Sequence, residues 1–86
     1  MNRRKLLTRL AAGAVRNVGF DDFTGLVRAF GFALARSSGS HHIYTRPDIL
    51  QLVNLQDVNG QAKPYQIRQF LRLVEKYNLT MEEERE

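Results

Sequence analysis

The Ser-Ser-Gly-Ser run at residues 37–40 constrains the fold of this chain more than any other stretch. A cluster of Ser and Gly predicts a turn, and the β-branched and aromatic residues that follow it, Ile43 and Tyr44, favour a strand. Side chains alternate between the two faces of a strand. We therefore expect His41 and His42, the two histidines of the chain, to lie on opposite faces of a sheet.

Two more short segments have the composition of strands. Phe32–Arg36 precedes the small-residue run, and Leu50–Gln56 follows a turn signal at Pro47-Asp48. The strand between them is predicted to be Ser40–Arg46. Because the connections are short, the three strands are predicted to pair as an antiparallel meander.

Amphipathic helices are predicted on both sides of the strands. The first has Asp21 or Asp22 as its N-cap and an apolar stripe at helical spacing, formed by Phe23, Leu26, Val27 and Phe30. After a polar loop at residues 57–63, Pro64 fits the first position of the second helix. Its stripe comprises Ile67, Phe70, Leu71, Val74 and Tyr77. The predicted fold is α+β, in the order α-β-β-β-α. A three-stranded antiparallel sheet carries helices on one face, as in a double-stranded-RNA-binding domain.

The segment before residue 21 is basic and has no acidic residue. Leu6, Leu7 and Leu10 predict a short amphipathic helix that ends near Gly13. We expect residues 1–20 to form a basic N-terminal helix and connector, residues 21–79 the main domain, and residues 80–86 a frayed acidic tail. The basic helix is expected to dock on the domain, on RNA or on a partner, rather than to act as an organelle transit peptide.

Composition limits the class of protein. With 86 residues the chain suits one domain, and it has no apolar run long enough to span a membrane. It has no cysteine, which favours a reducing cytoplasm. The formal net charge of +4 suits a polyanion such as nucleic acid, although an ordinary basic surface explains it equally well.

The adjacent histidines suggest proton transfer rather than metal binding. Histidine titrates near neutral pH and can accept and return a proton. A metal site is disfavoured because the histidines are not spaced as a helical zinc pair, and Asp48 and Asp57 do not complete a ligand set. No metal or other cofactor is therefore expected. The alternative is that both histidines simply lie at the surface.

Several segments together resemble the HicA family of toxins from bacterial and archaeal toxin–antitoxin pairs, also described as HicA/YcfA-like mRNA interferases. They are Leu26–Phe32, the Gly-Ser-His-His-Ile-Tyr sequence at residues 39–44, Pro47, and Lys63-Pro64. The resemblance runs from about Asp22 to Leu79. It implies an endoribonuclease toxin that cleaves mRNA and is silenced by a HicB-type antitoxin covering the active site.

The resemblance also implies a catalytic residue. The family's histidine stands at the fourth position of Gly-Ser-x-His, which is His42 here, whereas His41 occupies the variable third position. Departures from the family pattern include Arg46, where another histidine is common, and the polar Asn54 and Gln56 in the third strand.

Metal-free RNA cleavage needs a group that takes the proton of the ribose 2′-hydroxyl and cations that stabilise the phosphoryl charge. His42 is the candidate base. The candidate RNA-binding cations are Arg36, Arg46, Lys63 and Arg68. Gly39 lets the RNA backbone approach. Ser40 and Tyr44 share the face of His42 and can orient its ring. Tyr44 either stacks on a base or packs against the last helix.

Two other classes of protein compete with the nuclease. One is a non-catalytic RNA-binding domain of the same fold, and the other is an interaction protein whose basic helix docks on an acidic partner. The free chain is expected to be a monomer, because the predicted elements leave no large apolar stripe unassigned.

Overall fold

A computed structural model describes residues 2–81 of the chain. The helices are α1 (Arg3–Ala11), α2 (Phe20–Ala29) and α3 (Pro64–Lys76). The strands are β1 (Ala33–Ser38), β2 (His41–Arg46), β3 (Ile49–Val58) and β4 (Gln61–Ala62). The predicted α+β class, the antiparallel meander and the preceding N-terminal helix are confirmed.

The sheet has four strands in the order β1-β2-β3-β4, one short strand more than the three predicted. The predicted polar loop at residues 57–63 contains a short hairpin, in which Asp57 pairs with Ala62 and Val58 with Gln61. Its turn is Asn59-Gly60, with φ angles of 53° and 82°. Asn-Gly suits the positive φ angles of a two-residue hairpin turn, so the signal was present in the sequence.

Helix α2 begins one residue before the predicted cap. Gly19 is the N-cap and Phe20 is the first helical residue, whereas Asp21 or Asp22 was expected to cap. Phe20 is buried, and its N–H donates to the carbonyl oxygen of Gly60 at 2.8 Å. This contact ties the start of α2 to the β3–β4 turn. The two aspartates stay in the first turn of the helix, where the helix dipole favours acidic side chains.

The strand bounds also shift. β1 begins at Ala33 rather than at Phe32, whose ring is buried in the core. It continues to Ser38, so the turn to β2 consists of Gly39 and Ser40 alone. β3 is longer than predicted at both ends.

Phe70 of α3 lies at the centre of the core. Its ring contacts Phe23, Phe30 and Phe32 edge-on, with centroids 5.6–5.7 Å apart. On β3, Val53 and Leu55 are buried. Burial of these apolar side chains is the dominant stabilising contribution to a domain of this size.

The basic N-terminal helix belongs to the same core. Leu6 and Leu10 of α1 are each 1% exposed, while Arg3, Arg4 and Lys5 remain at the surface. At the other end Met81 is also buried, although the predicted domain ended at residue 79. The remainder of the predicted acidic tail, residues 82–86, lies outside the described part of the chain.

The sheet face away from the core is not uniformly polar. Leu50 is 96% exposed and Leu52 is 59% exposed. The expectation of a monomer rested on the absence of a large unassigned apolar stripe, and these two leucines are apolar side chains that remain at the surface. Within residues 2–81, no helix is both long enough and apolar enough to cross a membrane.

Candidate active site

His42 lies near the start of β2, next to the β1–β2 turn. It pairs with Ser37 on β1 and with the buried Leu55 on β3. Its half-buried side chain faces the helices, and its ring centroid is 5.0 Å from that of Phe20. The start of α2 therefore forms one wall beside the imidazole.

A backbone carbonyl fixes the protonation pattern of this ring. Nδ1 of His42 lies 3.1 Å from the carbonyl oxygen of Ser40, and a carbonyl oxygen can only accept a hydrogen bond. The neutral ring therefore carries its proton on Nδ1, and Nε2 presents a lone pair. The N–H of Asp57 donates to the same Ser40 oxygen at 2.9 Å, which anchors the turn to β3.

His41 faces the other way, as the alternation of strand side chains predicts. It is exposed and pairs with Ser38 and Gln56 on the neighbouring strands. The helices cover the face of the sheet that carries His42, and His41 lies on the other face. A molecule bound on one side of the sheet therefore cannot contact both histidines.

Two glutamines link the turn to α3. Gln56 donates from Nε2 to the hydroxyl oxygen of Ser40 at 3.4 Å, and its backbone N–H donates to Oε1 of Gln66 at 2.9 Å. Gln66 is buried, at 7% exposure. Sequence reasoning noted Gln56 only as a departure from the family pattern and did not single out Gln66. The available signal was a polar residue one helical turn before Phe70, on the inward side of α3.

The N-terminal end of α3 brings positive charge to this region. Lys63 is the N-cap residue, Pro64 occupies the first turn, and that turn has no acidic residue. Nζ of Lys63 lies 5.6 Å from the ring centroid of Tyr65, which is 50% exposed. The lysine and the positive end of the helix dipole both favour an anion here.

Tyr44 does not belong to the exposed part of the site. It is 2% exposed, and the guanidinium of Arg28 lies 5.6 Å from its ring centroid. Of the two roles considered for Tyr44, packing in the core is the one observed. The buried ring offers no free face to a base.

The predicted arginines are dispersed. Arg46 is at the far end of β2, about 13 Å along the strand from His42. It donates from NH1 to the carbonyl oxygen of Phe30 at 2.8 Å and pairs through Nε with Asp48 at 2.9 Å. Its guanidinium thus fastens the end of α2 to the β2–β3 turn. The structure does not bring Arg46 to the histidine.

Arg36 and Arg68 are both exposed. Arg36 pairs with Ile43, whose side chain alternates with that of His42, so Arg36 belongs to the opposite face of the sheet. Arg68 lies on α3, one helical turn after Pro64. Lys63 and Arg68 therefore both belong to α3, the helix that Gln66 and Gln56 link to the turn before His42.

Gly39 leaves the turn open. It has a φ of +59°, and a Cβ atom placed on it would meet nothing within 4 Å. The backbone beside His42 is therefore accessible to a bound chain. Among residues 2–81, no three His, Asp or Glu side chains are grouped so as to hold a metal ion.

Comparison with known families identifies the chain. The family model described as the HicA toxin of bacterial toxin–antitoxin pairs matches residues 20–75, from the start of α2 to the last turn of α3. A comparison with curated proteins and one with solved structures each gave no significant match. The matched region covers more than half of the chain and includes the His42 turn. The chain therefore belongs to the HicA family, the toxins of type II toxin–antitoxin pairs.

Proposed function

We propose that this toxin is a metal-independent endoribonuclease that cleaves mRNA, with His42 as the general base. The observation that carries the proposal is the Nδ1 contact to the Ser40 carbonyl oxygen, because it leaves Nε2 as the accepting nitrogen. A histidine held in this tautomer is suited to taking a proton from a hydroxyl group.

The proposed reaction uses the RNA itself as nucleophile. Nε2 of His42 takes the proton of a ribose 2′-hydroxyl, and the 2′-oxygen forms a bond to the adjacent phosphorus. The bond from phosphorus to the 5′-oxygen of the next nucleotide breaks, and that oxygen takes a proton from solvent. The products are a 2′,3′-cyclic phosphate and a 5′-hydroxyl. General base catalysis contributes about 10²–10⁴-fold to such a rate.

Charge stabilisation is assigned to the N-terminal end of α3. Lys63 and the positive end of the α3 helix dipole favour the phosphoryl oxygens. Asp21 and Asp22 at the start of α2 have the opposite effect, so α3 rather than α2 is the proposed phosphate side. Gly39 and Ser40 form the open backbone along which the RNA passes.

Family membership implies a HicB-type antitoxin as the partner of this chain. We propose that the antitoxin silences the toxin by covering His42 and the adjoining turn. Silencing then requires no change in the toxin fold. It requires only that RNA be kept from a half-buried ring.

The alternative is an RNA-binding domain that does not cleave. An RNA that contains a single 2′-deoxynucleotide at the cut position distinguishes cleavage from binding alone. In EDTA, the proposed nuclease cuts the all-ribose RNA, leaves a cyclic phosphate, and does not cut the deoxy-substituted RNA at that position. A protein that binds both RNAs equally and cuts neither is the binding domain instead.

A further inference from the structure

Tyr65 is an exposed aromatic residue that the proposed reaction does not use. It lies in the first turn of α3 and is 50% exposed, whereas Tyr44 is 2% exposed. Nζ of Lys63 is 5.6 Å from its ring centroid. An exposed ring beside a flexible cation is the combination with which proteins hold single-stranded nucleic acid.

A series of polar contacts connects Tyr65 to the catalytic turn. The Tyr65 hydroxyl accepts from Nε2 of Gln66 at 3.4 Å. Oε1 of Gln66 accepts from the N–H of Gln56, and the Gln56 side chain reaches the Ser40 hydroxyl. The carbonyl of Ser40 holds the imidazole. These contacts link the Tyr65 hydroxyl, through Gln66 and Gln56, to the turn that precedes His42.

We propose that Tyr65 and Lys63 form a nucleotide subsite next to His42, in which the Tyr65 ring stacks on an unpaired base and Lys63 holds the adjacent phosphate. The inference rests on RNA being the ligand of the proposed function. The subsite would also select unpaired over paired nucleotides. Inside a duplex both faces of a base are covered by its neighbours, so only an unpaired base can stack on the Tyr65 ring. The toxin then prefers single-stranded regions of mRNA, although its fold resembles a reader of duplex RNA.

Tyr77, the C-cap residue of the same helix, provides a matched control. It follows α3, is 37% exposed, and has Nζ of Lys76 at 5.4 Å from its ring centroid. Its hydroxyl donates to Oε1 of Gln51, so it also has a polar anchor. The two tyrosines are about 18 Å apart along the helix axis. Only Tyr65 is connected to the catalytic turn by the contacts described.

The test compares the affinity of variants for an unstructured RNA oligonucleotide, in a His42→Ala background that prevents cleavage. Tyr65→Leu is expected to weaken binding roughly 5- to 150-fold, and Tyr65→Phe and Tyr65→Trp to bind within about threefold of the parent. Tyr77→Leu is expected to bind like the parent. For a blunt RNA duplex, Tyr65→Leu and the parent are expected to be equal. Thermal unfolding of each variant checks that it folds.

Direct contact has its own readout. The chain has no tryptophan, so the indole of Tyr65→Trp is its only tryptophan fluorophore. Stacking on a base is expected to quench its emission during titration with single-stranded RNA but not with duplex. If Tyr65→Phe loses as much affinity as Tyr65→Leu, the hydroxyl rather than the ring is what matters, and the stacking proposal is overturned.

The subsite and the nuclease can fail separately. If the wild-type protein cleaves RNA and Tyr65→Leu keeps full RNA affinity, the proposed subsite is wrong and the proposed nuclease activity stands. If the wild-type protein does not cleave RNA but its RNA binding depends on Tyr65, the subsite stands and the nuclease activity is wrong. If the protein binds no RNA at all, both are wrong.

Discussion

Nδ1 of His42 lies 3.1 Å from the carbonyl oxygen of Ser40, two residues earlier in the chain. That oxygen also accepts the N–H of Asp57. The orientation of the His42 ring, the proposed general base, therefore depends on a backbone turn, which is itself attached to β3. Residues that hold this turn should affect cleavage without touching RNA.

Gln66 is one such positioning residue. Gln66→Leu removes the acceptor for the Gln56 N–H at the edge of β3. Leaving a fully buried donor without a partner costs about 1–3 kcal/mol; because this donor is only part-buried, the free energy of unfolding in urea should fall by an amount towards the lower end of that range. Cleavage should slow while RNA affinity changes little. Gln69→Leu, a change at an exposed position of the same helix, is the control and should leave both quantities near wild type.

Gly39 tests the turn from the backbone side. Its φ of +59° is unfavourable for a residue with a Cβ, although the space around it is open. Gly39→Ala should therefore cost about 1–2 kcal/mol of stability through the backbone alone. Gly39→Asn should cost less, since asparagine tolerates this conformation. Equal thermal stability of the alanine and glycine proteins would contradict this account.

Substitution of Arg46 should lower stability without changing RNA affinity, and substitution of Lys63 should lower RNA affinity without changing stability. Arg46→Ala loses charged hydrogen bonds to Phe30 and Asp48 and should reduce stability by about 1.5–3 kcal/mol, with RNA affinity unchanged in a folded sample. The measurement is chemical unfolding alongside RNA titration below the unfolding transition. A large loss of affinity with unchanged stability would return Arg46 to the RNA-binding set.

Lys63→Ala should show the reverse pattern. Stability should change by no more than about 0.5 kcal/mol, as for most surface substitutions. RNA affinity should fall, and the slope of its logarithm against the logarithm of salt concentration should decrease by roughly 0.7, the value for one phosphate contact on a single strand. An unchanged slope would show that Lys63 does not contact phosphate.

Helix α1 provides the prediction about the core. Leu10 is 1% exposed, so Leu10→Ala should lower the free energy of unfolding by about 2–5 kcal/mol. Lys5→Ala, on the exposed side of the same helix, should be nearly neutral. If Leu10→Ala were also neutral, α1 would not be part of the core.

The sequence was sufficient for the order of the elements and for the division between His41 and His42, because both follow from local periodicity. It also indicated Lys63 and Gly39, whose positions depend on a helix start and a tight turn. The fourth strand was missed although Asn59-Gly60 is a strong hairpin signal. The pairing it produces is only two residues long, and no alternating pattern accompanies it.

The remaining errors concern side chains whose surroundings are set by tertiary packing. Tyr44 lies on the predicted face, but whether that face is covered depends on where the helices lie. Arg46 was assigned by charge, and its partners at Phe30 and Asp48 are fixed only once α2 and the β2–β3 turn come together. Gln66 and Tyr65 are adjacent in the chain. One is buried and one exposed because α3 presents a single side to the sheet.

The most direct test of the account is cleavage of a single-stranded mRNA segment in EDTA by the wild type, His42→Ala and His41→Ala. We expect the wild type and His41→Ala to cut at the same positions at similar rates, and His42→Ala to bind the RNA without cutting it. Cleavage that survives in His42→Ala, or that is lost equally in both variants, would contradict the assignment of His42 as the general base.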